Sequence, residues 1–592
     1  MGLHLRGVSA PKRLIQLLSM MGLCMSYTTT TRCLKSLARD SIKAMQRAAS
    51  KKPVIFLYDN FNRRVTHRHQ RKDNQDYFES ATTGTIVIGE ELGEERLPND
   101  PPAIPSVADV MINSKDMDHY KCIFRSHFVG NLQGCKYNSP FLSTFDIPAI
   151  KSLDTKRSKA YELAAMDIDQ ASVTGNLQVL NHMRRTLNRT KGSFKNLKMI
   201  IAGDHLTISR IQTIQERSIG EATYFDLMRW AIPVLQLFHM QMILCSTILN
   251  THFGHISQPG SLGYYIPLLG RRQLNKDMPC YYTADDFLRI IFGALVNRLW
   301  RVKEEVYLRN PSSTAMSVEI FEEEINTILN GLLIKSTTLS NTFSATNANA
   351  ILFIRDMAVY IEFCAAIKAG DVGRIEEILK RITIMFQAGN HRNYGLELLR
   401  FRYNIRHVWS AARKDAIFSS LLMNTKGQGN HWIPSDLYQE HNNLLTKQTH
   451  TTMGNKMSTM SYITPNIRLF QEVASKIDKE FKLSYNNAFH RPTSRTQDIQ
   501  HVLRSLEEHN ILGEDPHPIE HQEHPYTKTL VMDLMVEGLV KLVHGGYNKF
   551  IKRMQEEKLG EEIAMDRDLD GLMKELDEEV TQAGKYLDET FK

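Results

Sequence analysis

The stretch Lys198-Met-Ile-Ile-Ala-Gly-Asp204-His-Leu-Thr-Ile-Ser-Arg210 decides how the chain is read. Met199 to Ala202 form a short apolar run, rich in β-branched residues and closed by a glycine, which reads as a strand buried on both faces. Ile208, Ile211, Ile214 and Gln215 then repeat with helical spacing, so a helix is expected over 206–218. Asp204 falls where the strand ends and the helix begins. Two chemistries fit that position. Open α/β sheets bind ligands at the carboxyl ends of their strands, which makes the carboxylate a candidate ligand. Asp is also a favoured N-cap, taking up the free N–H groups of the first helical turn.

Two further acids stand in comparable settings. Val54-Ile-Phe-Leu-Tyr58 reads as a strand that runs into a turn at Asp59-Asn-Phe-Asn62. A basic segment follows, and its Arg63, Arg64, Arg68, Arg71 and Lys72 suit a phosphate backbone or an ordinary solvated loop. Residues 77–88, with the β-rich Thr85-Ile-Val-Ile88, supply one or two more strands. Much later, the glycine-rich loop 424–434 leads into a helix from Ser435, where Leu437, Glu440 and Leu444 share a face. A carboxylate on an apolar face is costly unless it is paired, protonated or bound to a cation. A structural ion pair with a nearby Arg or Lys is the plainer alternative.

With 592 residues, the chain is too long for one core and calls for three to four folding units or one domain with large insertions. A net charge of +8 is compatible with a polyanionic partner without demanding one. Seven scattered cysteines, odd in number and without a C-x-x-C pair, point to reduced thiols and to a nuclear or cytoplasmic, intracellular protein. The first 39 residues hold no acid. Gln16 and Ser19 break the apolar stretch that a secretory signal needs, while a mitochondrial presequence stays open. The most apolar segment, 230–249, carries Pro233, Gln236, His239 and Gln241 and reads as a buried helix, so no membrane partner is expected.

Near the amino terminus, Leu14, Leu17, Leu18 and Met21 form a helical face that stops at Gly22, and a second helix starts at Tyr27. This is the layout of a helix-turn-helix that would offer Arg32 and Lys35 to DNA, and equally that of a plain helical hairpin. Residues 90–115 read as an irregular insertion and 153–190 as a polar helical stretch. Helical periodicity dominates from Phe225 to Leu422, in segments near 287–302, 318–333, 351–368, 375–386 and 396–412. His517, His521 and His524 have superficial metal spacing, but Pro516, Pro518 and Pro525 favour a loop. Asp566 to Gly571, with Asp577, resembles the opening of an EF-hand; the unbroken period of Leu569, Leu572, Met573, Leu576 and Val580 favours an acidic surface helix.

The expected organisation is a helical pair over 1–50, a first α/β part over 51–224, a helical insertion over 225–422, a return to the core over 423–460 and a helical carboxyl-terminal region over 461–592. The fold class is α/β plus a large all-α portion. In that order, Asp59, Asp204 and Glu440 match the layout of a ribonuclease-H-like metal site. Two Mg²⁺ ions held about 4 Å apart by such carboxylates serve phosphoryl transfer.

Tyr58-Asp-Asn-Phe-Asn62, Ala202-Gly-Asp-His-Leu-Thr207, Pro233-Val-Leu-Gln-Leu-Phe-His239, Gly260-Ser-Leu262 with Leu269-Gly-Arg271, Ala369-Gly-Asp-Val-Gly-Arg374, Asn393-Tyr394 with Glu397-Leu-Leu399, and Gln439-Glu-His-Asn-Asn-Leu444 occur in that order. As a set they resemble fungal, mainly basidiomycete, proteins that share a large domain of unknown function and look like relatives of DDE-type, cut-and-paste transposases. His205 departs from the Gln common in that family. The resemblance implies a ribonuclease-H-like mixed sheet interrupted by a long helical insertion, with DNA as partner and Mg²⁺ (or Mn²⁺) as cofactor. Asp59 and Asp204 would bridge the metals and Glu440 would complete the second site. A water or a DNA 3′-hydroxyl would attack the phosphodiester. His239 is read as a core residue that could also contact DNA or a metal, and Tyr394 as a core residue that could also orient the insertion or meet a base. A homo-oligomer is left open. The rivals are a protein that kept this fold without catalysis, as a DNA-binding protein or scaffold, and a helical interaction protein whose acids are caps and ion pairs.

Overall fold

The computed structural model describes residues 1–89, 112–132, 146–189, 199–218, 228–309, 317–389, 391–451, 457–482, 494–513 and 530–552, apart from 9, 51, 66–68, 74, 229, 278 and 334–335. Arg68, the histidines 517–524, the acidic segment 566–577 and most of the 90–115 insertion lie outside the described residues.

A five-stranded sheet organises the first part of the chain. Its strands are β1 (Val54–Val65), β2 (Tyr77–Ile88), β3 (Ala160–Glu162), β4 (Met199–Gly203) and β5 (Ala231–Leu235), in the order β3-β2-β1-β4-β5. β1 pairs antiparallel with β2, and β2 with β3, while β1–β4 and β4–β5 are parallel, so β2 alone runs against the rest. Side chains alternate along each strand between two packed layers. Ile55, Leu57, Ile200, Ala202, Ile232 and Val234 face the large helical core. Val54, Phe56, Tyr58, Met199 and Ile201 face the opposite layer. With both faces covered, all five residues of β4 are buried, as its continuous apolar run requires.

The helices that bear on function are α1 (Tyr27–Ala49), α2 (Val173–Thr186), α3 (His205–Arg217), α4 (Leu237–His252), α5 (Arg392–Tyr403) and α6 (Ser435–Thr451). α2 and α3 cover the second face through Val179, Leu180, Met183, Ile211 and Ile214. The helical block behind the first face includes Tyr281–Leu308, Val318–Leu332, Ala345–Ala369 and Val372–Ala388. Ala345–Ala369 is buried nearly all round, so it forms the spine of that block.

Three segments differ from expectation. β1 does not end at Tyr58; its pairing with β2 continues through Asp59↔Thr83 to Val65↔Tyr77, so Asp59 sits within a strand. The stretch 153–190 is not uniformly helical, because β3 lies near its start as a short edge strand and α2 begins only at Val173. The apolar segment 230–249 is divided. Ala231–Leu235 is an edge strand, where Pro233 can be tolerated, and α4 begins after Gln236. Among the described residues, no helix is long and apolar enough to cross a membrane.

At the amino terminus a short helix, Gly2–Gly7, which the sequence reading did not include, precedes the helix Lys12–Met20 and α1, and Ser26 caps α1 by accepting from Thr29 N at 3.1 Å. α1 runs well past Leu37. Its Leu34 and Ala38 pack on Ile463, Ile467 and Phe470, and its Met45 and Ala49 join the sheet's second face.

Candidate acidic site on the central sheet

Asp59 continues the Ile55–Leu57 alternation, so its carboxylate points to the face that α6 crosses. α6 is docked there by polar contacts. Thr85 donates to Gln439 Oε1 at 2.7 Å, and Gln439 Nε2 donates to Asn443 Oδ1 at 3.0 Å. Thr83 donates to the same Asn443 oxygen. Asn443 Nδ2 in turn donates to Asp59 Oδ2 at 2.9 Å. Asn443 is thereby fixed from two sides before it reaches the acid.

Glu440 lies one turn before Asn443 on α6. It is buried, and its Oε1 has no hydrogen-bond partner. Its neighbour is the carboxyl of Asp59, within hydrogen-bonding reach. Burial first, and then the Asp59 charge, push the Glu440 carboxyl well above the ordinary range. Asp59 is also raised, chiefly by loss of water, while a hydrogen bond from Glu440 pulls it back. A buried carboxyl beside a half-buried one retains a proton between them, and Glu440 holds it. The ion pair expected as the plain role of Glu440 is absent among the described residues: its partner is another acid.

Asp204 sits at the end of β4, half-buried, and caps α3 by accepting from Thr207 N at 2.8 Å through Oδ1. Its charge acts on Asp59 and on His239. Asp204 thus fills the capping role, and its charge acts on the acid pair from the end of β4.

His239 is in the first turn of α4. Its Nδ1 lies 3.0 Å from Asp436 Oδ2, and Asp436 also accepts from the backbone N–H groups of Phe238 at 3.1 Å and His239 at 3.0 Å. A carboxylate from α6 thus caps α4 and holds its histidine. Burial alone would lower the imidazole, but the Asp436 hydrogen bond and charge, followed by Asp204 and Asp59, lift it to about 9. His239 is a buried residue, as expected, and also an imidazolium set among acids. Asp436 was not singled out from the sequence, although its i, i+4 relation to Glu440 is a signal that was present.

The helical block touches this site through α5. The ring of Tyr394 lies 4.9 Å from that of His205, the residue after Asp204, and packs at 6.1 Å against Phe386. Gln212 of α3 donates to Glu397 at 2.8 Å, a second tie between the same two helices. Tyr394 is buried, in agreement with a packing role.

The other candidates are elsewhere. Arg32 and Lys35 are exposed on α1, and Arg71 and Lys72 are exposed on the connection between β1 and β2. Arg63 and Arg64 belong to the end of β1, with side chains outside the described residues. As to a divalent cation, the partnerless Glu440 oxygen and the adjoining Asp59 are hard donors of the right kind. Among the described residues, no three His, Cys, Asp or Glu side chains stand together so as to hold one. Asp59 and Glu440 are therefore the two carboxyls this face offers a cation, one fewer than a three-ligand group, and Asp204 acts on them through its charge.

What these observations define is a mixed α/β protein with a close acid pair and a buried imidazolium at the junction of its sheet and its helical block. Residues 100–490 match a family of unknown function (DUF6589), and the chain belongs to that family. The match spans Asp204, His239, Asp436 and Glu440 and begins after β2, leaving Asp59 before it. No curated protein matches the chain.

Proposed function

We propose that the chain is a transposase-derived protein of fungal type with a ribonuclease-H-like core, and that it cleaves or transfers DNA strands with Mg²⁺ or Mn²⁺ at Asp59 and Glu440, assisted by Asp204. The observation that carries this reading is the meeting of Asp59 and Glu440, which stand 381 residues apart in the sequence and adjoin only through the docking of α6 on β1. The strand order with β2 alone reversed supports a ribonuclease-H-like sheet, as do the first acid within β1, the second at the end of β4 and the third on a later helix. A bound divalent cation would neutralise charge on a phosphodiester and activate a water or 3′-hydroxyl. The chain's own residues do the rest: Asn443 orients Asp59, Asp436 fixes the direction of His239 and keeps it protonated, and the imidazolium offers a cationic hydrogen-bond donor to a phosphate oxygen.

The test is Mn²⁺-dependent nicking of supercoiled or terminal-repeat DNA by the full chain and by Asp204→Asn. Asn caps helices as well as Asp, so the variant keeps α3 while losing the charge. Nicking by the wild type that disappears in the variant supports the proposal, and equal nicking by both defeats it. A second reading is favoured by the absence of a three-ligand group among the described residues: a non-catalytic DNA-binding or scaffolding protein that kept the fold. It would bind the same DNA and leave it intact.

A further inference from the structure

α1 carries Arg32, Lys35, Arg39, Lys43 and Arg47, all exposed. Their spacing of three and four residues places them within about 120° of arc along about 22 Å of helix. Thr30, Leu34, Ala38, Met45 and Ala49, on the opposite side, are the buried residues of the same helix, so packing fixes this band toward solvent. Among the described residues, none of the five cations has an ion-pair partner. The guanidinium groups of Arg39 and Arg47 turn back to the backbone carbonyls of Lys35 and Lys43, each at 3.3 Å, and the Lys35 ammonium lies 5.4 Å from the centre of the Tyr462 ring. Asp40 is the only acid on α1 and pairs with none of them. A row of like charges without counter-charges repels itself, and a polyanion laid along it would relieve that repulsion.

We infer that this band holds the phosphate backbone of a DNA duplex. Its length spans about six phosphates of one strand at 3.4 Å of axial rise each. A helix built for an anionic bilayer would present apolar residues between its cations, whereas those of α1 face inward. The choice of duplex DNA rests on the function proposed above, although the band's placement does not. The band extends the contact surface beyond Arg32 and Lys35 and assigns it to one face of one helix. It lies on the half of the helical pair that continues onto the sheet's second face, so DNA held there would be anchored to the sheet itself.

The experiment is fluorescence anisotropy of a 20-base-pair duplex of arbitrary sequence with the full chain in EDTA, titrated between 50 and 200 mM salt. Five released counterions predict a slope of about −4.5 in log K against log salt, or a loss of about 500-fold across that range. Arg39→Ala/Lys43→Ala should flatten the slope by about 1.8. Lys115→Ala/Lys121→Ala, with the same change in net charge on the exposed side of the helix Ser114–Gly130, which packs on the helical block, should leave it unchanged. A wild-type slope retained in Arg39→Ala/Lys43→Ala overturns the inference. So does loss of binding to phosphatidylserine vesicles with duplex binding intact, an outcome made worth testing by the exposed Leu14, Leu17 and Met20 of the neighbouring helix. With metal absent no strand is cut, so failure of the acidic site leaves this result standing, and failure here leaves nicking to be judged by itself.

Discussion

Glu440→Gln should make the metal-free protein more stable and deprive it of its response to metal. The carboxyls of Asp59 and Glu440 adjoin, and burial raises both. At an effective dielectric of 20, two full charges roughly 4 Å apart repel by about 4 kcal/mol, which is a ceiling because the pair can keep a proton instead. A raised acid is protonated more readily in the folded state than in the unfolded one. Stability is therefore full below the ordinary carboxylate range and falls as pH rises through the folded values. Gln has nearly the same shape, carries no charge and can donate to Asp59 at any pH the hydrogen bond that the retained proton now makes. The expected gain at pH 8 in EDTA is about 1–2 kcal/mol, shrinking toward pH 5. With Mn²⁺ at about 100 times its dissociation constant the wild type should gain about 2.7 kcal/mol, and the variant much less. Urea denaturation at pH 5 and pH 8, each with EDTA or Mn²⁺, gives the four comparisons. A variant less stable than wild type at pH 8 in EDTA would show that Glu440 is a structural anchor, and the reasoning from like charges would fail.

Other consequences can be measured on the same protein. His239 is lifted to about 9, above its ordinary 6.5, so it contributes stability that is full below pH 6.5 and lost as pH rises through about 9. Asp436→Asn should flatten that decline and cost about 3–5 kcal/mol near neutral pH, read by denaturation across pH 6–9. Glu362 is buried and grips Arg374 through two bonds of 2.7 Å, with His127 at 2.8 Å. Burial would raise its carboxyl, but these two partners hold it below the ordinary range, so its contribution is present at neutral pH and lost on acidification. Glu362→Ala should therefore cost about 3–5 kcal/mol at pH 7 and progressively less in acid. Gly370 ends the helix Ala345–Ala369 at φ 73°, where an added Cβ would run into the Trp432 ring. Gly370→Ala should lower stability by at least about 1 kcal/mol, checked by thermal denaturation, and an unchanged midpoint would contradict the strained turn.

What the sequence disclosed follows from how each residue is buried. β4 was legible because a strand covered on both faces leaves a continuous apolar run with a glycine at its end. β5 was not, since periodicity does not separate a short fully buried strand from the start of a buried helix, and the apolar run continues unbroken into α4. The useful signals there were Pro233, which suits an edge strand, and Gln236, which marks where α4 begins. Asp59 was assigned to a turn because Asp-Asn-Phe-Asn has turn composition. Its strand is imposed by pairing with β2, a contact made across the connection between them. α6 shows the same limit at the level of the site. Leu437, Glu440 and Leu444 suggested an acid stranded among leucines, yet the residues that meet the sheet and α4 are Asp436, Gln439, Glu440 and Asn443, all polar or charged. Polar side chains on a buried face look like solvent exposure until their partners are known. Those partners, Thr83, Thr85, Asp59 and His239, belong to β1, β2 and α4, which only the folded chain brings to one place. The three acids could be chosen one at a time from local pattern, whereas the imidazolium among them depends on a pairing between α4 and α6 that no local window contains.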